Sequence, residues 1–162
     1  MSDKLKYGFL IAHMTLEEKA SLMSGADFWH TKAVERMGVP PAMMSDGPHG
    51  LRKMTGALAV TGLGKTIPAT CYPTAAGLAN TWDEALLEEL GAHIGREAAA
   101  EGVSMVLGPG VNIKRSPLCG RNFEYFSEDP MLAGKMAAAL IRGIQSQGVY
   151  ACVKHFAVNS QE

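Results

Sequence analysis

Met43-Met44-Ser45-Asp46-Gly47-Pro48-His49-Gly50-Leu51-Arg52 is the stretch on which the reading of this chain turns. Ala42 and the two methionines read as the end of a short buried strand, and the polarity switches at Asp46. Gly47-Pro48 and Gly50 are turn chemistry, because proline fixes φ and glycine accepts positive φ. A carboxylate and a guanidinium, Asp46 and Arg52, therefore flank a tight polar loop at the carboxyl end of a strand. Parallel α/β proteins build their sites in the crevice beyond such strand ends. The plainer alternative is a loop-capping Asp46 with a solvated Arg52. The same pattern recurs twice further along, which weighs against that alternative.

Toward the N-terminus, Thr15-Leu16-Glu17-Glu18 is a capping box with Thr15 as N-cap, opening a short amphipathic helix that Ser24-Gly25 ends. A polar aromatic loop, Asp27-Phe28-Trp29-His30-Thr31, and then Val39-Pro40-Pro41 lead into the first strand. In the other direction, residues 55 to 73 are rich in Gly, Thr and Pro and read as a long loop of functional length. Ala75-Ala76-Gly77-Leu78-Ala79 reads as a small second strand. Thr81-Trp82-Asp83-Glu84 reads as a second capping box, before a helix with Leu87, Leu90, Ile94 and Ala98 at helical spacing. Gly91 and Gly95, one turn apart, suit a helix lying close on a sheet, and Gly102 closes that helix. Val103-Ser104-Met105-Val106-Leu107 is a third strand ending in Gly108-Pro109-Gly110. A long polar loop follows, with Asn112, Lys114, Arg115 and Ser116. Asp129-Pro130 then opens a helix with Leu132, Met136, Leu140 and Ile144 on one face. That helix stops at Gly148, and Val149-Tyr150-Ala151-Cys152-Val153 is a fourth strand ending in Lys154-His155-Phe156.

Alternating strands and helices with near-continuous apolar strands mean a parallel sheet with helices packed outside it. The repeat of roughly 36 residues per unit is close to that of a (β/α)8 barrel. Neither nucleotide motif holds up. Gly108-x-Gly110 lacks the third glycine of a dinucleotide fingerprint, and Gly64-Lys65-Thr66 lacks the upstream glycine of a P-loop, with Ile67-Pro68 forbidding its helix.

The 162 residues, 47% hydrophobic and 19% charged, suffice for one soluble domain with a real core. A net charge of −1 gives no reason to expect nucleic acid or an anionic membrane as a partner, and no apolar run is long enough to span a bilayer. The N-terminal run Phe9-Leu10-Ile11-Ala12 is too brief for a signal-peptide core. Cys71, Cys119 and Cys152 form no metal or disulfide spacing and fit a reducing cytoplasm, with Cys119 in a loop read as a plain free thiol. No metal or cofactor is implied.

Three strand ends carry the polar chemistry: Asp46 and Arg52, then Arg121, Asn122 and Glu124, then Lys154, His155 and Asn159. On parallel strands all of them converge on one face, where a carboxylate accepts from hydroxyls and Arg and Lys donate. A structural ion pair with a satisfied histidine is the bland reading of Lys154-His155. Trp29 and Phe123 could stack on a sugar ring or be ordinary packing. His93, inside a helix, reads as ordinary.

Ser45-Asp46-Gly47-Pro48-His49-Gly50-Leu51-Arg52, the run from Gly120 to Pro130 and the run from Lys154 to Glu162 together resemble family 3 of the glycoside hydrolases, β-glucosidase type. All three motifs stand in the family's order. The resemblance implies the N-terminal portion, residues 1–162, of a (β/α)8-type barrel that an α/β sandwich domain follows. It implies retaining hydrolysis of terminal β-D-glucosides. Asp46, Arg121, Lys154 and His155 would grip the sugar's hydroxyls, and Arg52 would brace Asp46. The nucleophilic aspartate and the acid/base glutamate are expected beyond Glu162, so no catalytic residue is expected within these residues and the isolated chain should be inactive. Ala157-Val158-Asn159-Ser160 replaces the run that marks the family's hexosaminidases. Two other readings stay open: a non-catalytic carbohydrate-binding half-barrel, and a half-barrel that assembles with a second copy or the remainder of an enzyme. Half a barrel leaves its terminal strands, at 42–44 and 149–153, without outer partners.

Overall fold

The computed structural model describes residues 5–159. The opening Met1-Ser2-Asp3-Lys4 and the Ser160-Gln161-Glu162 end of the third motif lie outside the described residues. Two short helices come first, α1 (Gly8–His13) and α2 (Leu16–Ser21). The capping box is formed as read: Thr15 Oγ1 accepts the Glu18 N–H at 3.2 Å, and Glu18 Oε2 accepts the Thr15 N–H at 2.9 Å. Glu18 also receives Arg36 Nη2 at 2.6 Å, which ties α2 to the single turn at Glu35–Met37. That guanidinium, with the Thr15 N–H, holds the Glu18 carboxyl down at about 2.

A parallel sheet of three strands forms the centre: β1 (Met44–Asp46), β4 (Met105–Gly110) and β5 (Tyr150–Lys154), with β4 in the middle. Ser45 lies opposite Val106, and Leu107 opposite Cys152, with a register shift at Leu107/Gly108. Between β1 and β4 run a two-stranded hairpin, β2 (Met54–Thr55) with β3 (Lys65–Thr66), then α3 (Ala75–Ala79) and α4 (Glu84–Ala100). Helix α5 (Pro130–Gln145) connects β4 to β5. The fold is thus α/β with parallel strands, as the alternation of elements indicates.

Four details differ from the sequence reading. Ala75–Ala79 is a helix, started by Thr74, whose hydroxyl accepts the Gly77 N–H. A five-residue run of small apolar residues has no periodicity to separate strand from helix, so the cap was the only local signal. Helix α4 is capped by Asp83, which accepts the Leu86 N–H at 3.0 Å, and not by Thr81. The 55–73 stretch is not all loop, since the small hairpin and a turn of 3-10 helix at Ala59–Thr61 organise its first half. Gly91 and Gly95 serve helix-on-helix packing: an added Cβ at Gly91 would lie 2.3 Å from the Leu140 carbonyl oxygen of α5, and one at Gly95 2.8 Å from that of Ile144.

The core is one cluster in which Leu87, Ile94 and Ala98 of α4 and Met136, Leu140 and Ile144 of α5 gather with Val106 of β4. The sheet's two edges differ. The outer edge of β1 is covered by residues 29–31, with the Met44 N–H donating to the Trp29 carbonyl at 2.7 Å, so this terminal strand is not bare as expected. Among the described residues no strand pairs with the outer edge of β5, and Tyr150 and Val153 are exposed there.

The close approach of α4 and α5 makes a paired prediction. A Cβ at Gly143 would stand 2.0 Å from the Glu88 carbonyl oxygen, backbone that cannot move aside, whereas Gly134 in the same helix has nothing within 4 Å. Gly143→Ala is expected to destabilise by about 1–3 kcal/mol through overpacking, and Gly134→Ala to stabilise by about 0.5–1 kcal/mol through helix propensity. Thermal denaturation of both variants beside the parent checks the opposite signs.

Candidate functional site

Asp46 is the last residue of β1, and the chain folds back so that the Arg52 N–H donates to the Asp46 carbonyl at 2.8 Å. This closure needs glycine twice. Gly47 and Gly50 have φ of 135° and 137°, and a Cβ on either would meet a backbone oxygen at 2.3 Å, that of Gly50 or of Thr70. The loop holds the Asp46 side chain at the carboxyl end of the sheet. There Oδ1 accepts from Lys154 Nζ, the end of β5, at 2.7 Å. Arg52 Nη1 stands 4.0 Å from Oδ2, a loose brace on the solvent side. Residues 108 apart in sequence thus meet above the middle strand.

The second group lies beside the first. Gly110 at the end of β4 pairs with Lys154 on one side and bridges to Tyr125 on the other. Arg121 Nε donates to buried Glu124, and Arg121 Nη2 lies 2.8 Å from His155 Nε2. A guanidinium only donates, so Nε2 is an acceptor and the His155 proton sits on Nδ1. Nδ1 lies 3.0 Å from Tyr125 Oη, whose fully buried ring also meets the imidazole edge-on. Asn112 clamps the His155 backbone from both directions, its Oδ1 taking the N–H at 2.8 Å and its Nδ2 donating to the carbonyl at 3.3 Å. Asn159 Nδ2 donates to Tyr125 Oη at 3.4 Å.

Asp46, Arg52, Arg121, Lys154 and His155 are therefore brought to one end of the sheet, together with Glu124 and Asn159. Trp29 is placed differently. It sits at the outer edge of β1, 8% exposed and edge-on to Phe28, so its ring offers no open face for stacking. Phe123 is the exposed ring, 6.5 Å from the His49 imidazole. His93 is an exposed residue 4.0 Å from Glu89 on the same helix. The three cysteines are free thiols, and Cys119 is buried. Among the described residues no group of three His, Cys, Asp or Glu side chains could hold a metal ion. Tyr125 and Asn112 orient His155, and nothing local in the sequence pairs them with it, since it lies 30 and 43 residues away.

A second layer holds the loop from behind. Glu97 of α4 accepts from Thr70 Oγ1 and, at 2.9 Å, from Tyr72 Oη, while the Tyr72 N–H donates to the His49 carbonyl at 2.9 Å. Burial alone would raise the Glu97 carboxyl, but the hydrogen bonds from Thr70 and Tyr72, with His93 nearby, outweigh it and hold the group below its ordinary value. Beside β5, a mostly apolar cavity of about 420 Å³ opens against Lys154 and His155.

The model of the glycosyl hydrolase family 3 N-terminal domain matches residues 20–161. Thermostable beta-glucosidase B of Acetivibrio thermocellus is 63% identical over 153 residues, which are 94% of this chain and 20% of that protein. An exo-alpha-(1->6)-L-arabinopyranosidase of Bifidobacterium longum is 52% identical, with the same coverage of 94% and 20%. Among solved structures, the GH3 beta-glucosidase of Bifidobacterium adolescentis superposes with a TM-score of 0.81 at 50% identity, over 93% of this chain and 21% of its own. Beta-glucosidase 3B of Thermotoga neapolitana, in complex with alpha-D-glucose, gives a TM-score of 0.83 at 41% identity, over 98% and 24%. This chain spans about a fifth of the length of the curated relatives.

The Glu97 clamp has a pH signature. A carboxyl held below its ordinary 4.5 contributes stability that is present above that value and is lost as the pH falls through the lowered one. Glu97→Gln is expected to unfold at a lower temperature than the parent at neutral pH, and the gap is expected to close on acidification below pH 4.5. Melting curves of the two proteins across that range check it.

Proposed function

Because this chain belongs to the N-terminal domain family of the family 3 glycosyl hydrolases, we propose that it is the first part of a (β/α)8-type barrel and supplies the sugar-gripping half of a retaining β-glucosidase site. The observation that carries this reading is Lys154 Nζ at 2.7 Å from Asp46 Oδ1, beside the Arg121–His155 pair, at one end of a parallel sheet. An uncharged sugar ring presents only hydroxyls. Asp46 accepts from two of them, and Lys154, Arg121 and the imidazole of His155 hold the oxygens and fix the ring's orientation. Arg52 keeps the Asp46 carboxylate turned inward. Phe123 supplies an apolar ring at the rim.

Retaining hydrolysis takes two carboxyl groups about 5–5.5 Å apart, a nucleophile and an acid/base. Asp46 and Glu124 are each tied to a cation, Lys154 and Arg121, which suits gripping and positioning rather than attack or proton donation. The nucleophile and the acid/base come from polypeptide beyond these residues, which accords with the chain's covering a fifth of its relatives. A β-glucoside is the substrate proposed, since the relative at 63% identity is a beta-glucosidase. Positioning groups without the reacting carboxylates do not turn over substrate.

Two outcomes follow. The isolated chain is expected to release no product from aryl β-glucosides, and turnover by pure chain that disappears in Asp46→Ala would contradict the division of labour. In the full-length enzyme that carries this chain, Asp46→Ala removes two charge-assisted hydrogen bonds of about 1.5–3 kcal/mol each, so kcat/KM should fall at least about a hundredfold. Its melting temperature should change little. The loop-capping alternative gives the reverse pattern, so kinetics and melting of this one variant decide between them.

A further inference from the structure

His49 lies inside the first motif, and its contacts belong to neither the Asp46–Lys154 pair nor the Arg121–His155 pair. Its carbonyl accepts the Tyr72 N–H at 2.9 Å and its Nε2 accepts the Ala75 N–H, also at 2.9 Å. Ala75 opens α3, and the N–H groups of a helix's first turn have no partner within the helix. Here one of those donors is met by an imidazole reaching across from the strand-end loop. A backbone N–H only donates, so Nε2 must carry its lone pair and the proton must sit on Nδ1. The neighbouring Gly50 presses so close to Thr70 that no Cβ would fit between them. The 46–52 loop and the 70–75 segment are therefore fastened by two hydrogen bonds, both accepted by His49, beside the close approach of Gly50 to Thr70.

We propose that His49 is a positioning residue of the sugar site: as a neutral, Nδ1-protonated imidazole it locks the 46–52 loop onto the start of α3 and so sets the place of Asp46. The inference rests on the sugar-gripping role assigned to Asp46 above. It adds a residue that touches no reacting atom and acts through the loop. Protonation undoes the lock, because a proton on Nε2 faces the Ala75 N–H with a second donor.

The charged groups facing this imidazole come from three segments: Glu124 from the turn after β4, Lys154 from the end of β5 and Asp46 from the end of β1. Burial pushes the imidazole below the ordinary histidine value; Glu124 and Asp46 pull it back up and Lys154 adds to the lowering. Because the folded value is depressed, the neutral, locked state persists below the ordinary 6.5 and is lost only as the pH falls through the depressed value. Phe123, with its ring centre 6.5 Å away, covers the imidazole from the loop that carries Arg121.

Three forms of the full-length enzyme test this: the parent, His49→Gln and His49→Leu. Glutamine keeps an acceptor for the Ala75 N–H and cannot titrate, while leucine fills the space without an acceptor. In the parent, KM for an aryl β-glucoside is expected to rise about tenfold as the pH drops through the His49 titration, the loss of one hydrogen bond. His49→Gln should keep a neutral-pH KM within about threefold of the parent and lose that acid rise. His49→Leu should show KM raised about tenfold at every pH, with kcat changed much less. A His49→Leu enzyme with parental KM and only a lower melting temperature overturns the proposal, as does a His49→Gln enzyme with the acid rise intact. If the parent cleaves no β-glucoside, the reading of the site has failed, and NMR of the labelled imidazole tests the lock separately. The expected result is an Nδ1–H tautomer whose titration moves the Ala75 amide signal. An Nε2–H tautomer overturns it.

Discussion

Lys154 Nζ and Asp46 Oδ1 stand 2.7 Å apart although their strands are not neighbours. Adjacent strands lie about 4.7–4.9 Å apart, so the two edge strands are roughly twice that distance from each other. A contact between their last residues has to pass over the end of the middle strand. It exists only if all three strands run parallel and leave room over the last residues of β4, since Asp46 ends β1 opposite Leu107 and Lys154 ends β5 opposite Gly110. The middle strand ends in Gly108-Pro109-Gly110, which carries little side-chain bulk, and an added Cβ at Gly108 would press into Pro48 of the first loop at 2.7 Å. The ion pair is half-buried. Its geometry reports whether the whole sheet is assembled.

That assembly depends on elements far from the site. The level at which β4 and β5 end is fixed by where α4 and α5 can lie, and those helices are in backbone contact through Gly91, Gly95 and Gly143. Asp83 and Asp129 set their starting points. The first loop is pinned from below by Glu97 of α4, working through Thr70 and Tyr72. A glycine-lined helix pair, two aspartate caps and one carboxylate clamp thus translate into the placing of a single carboxylate at the sheet's end.

Much of this was legible in the sequence. The apolar strands followed by Asp46, by Gly108-Pro109-Gly110 and by Lys154-His155 announced both the parallel sheet and the face on which the polar groups gather. Asp129-Pro130 and Thr15 with Glu18 marked helix starts that the structure keeps. Other features were not legible, for identifiable reasons. Ala75–Ala79 is too short and too uniformly small for its periodicity to speak, and its helical state is set by Thr74 and by contact with the rest of the core. Thr81 and Asp83 are both good caps two residues apart, and only the Leu86 N–H chooses between them. Trp29 looked like a stacking ring because aromatic residues beside polar ones do so in general, yet it closes the outer edge of β1. Tyr125, Asn112 and Glu97 act on partners 25 to 43 residues away, and no local pattern encodes such a pairing.

As proposed, the three strand ends form one grip for a sugar, with Asp46 and Lys154 at its middle. A crystal structure of the full-length enzyme with glucose bound tests it most directly. One pyranose ring is expected at the carboxyl end of the sheet, with a hydroxyl pair on the Asp46 carboxylate within about 2.5–3.0 Å and other oxygens on Lys154, Arg121 and His155. Glucose bound elsewhere, with Asp46 still held only by Lys154 and the loop, would contradict it.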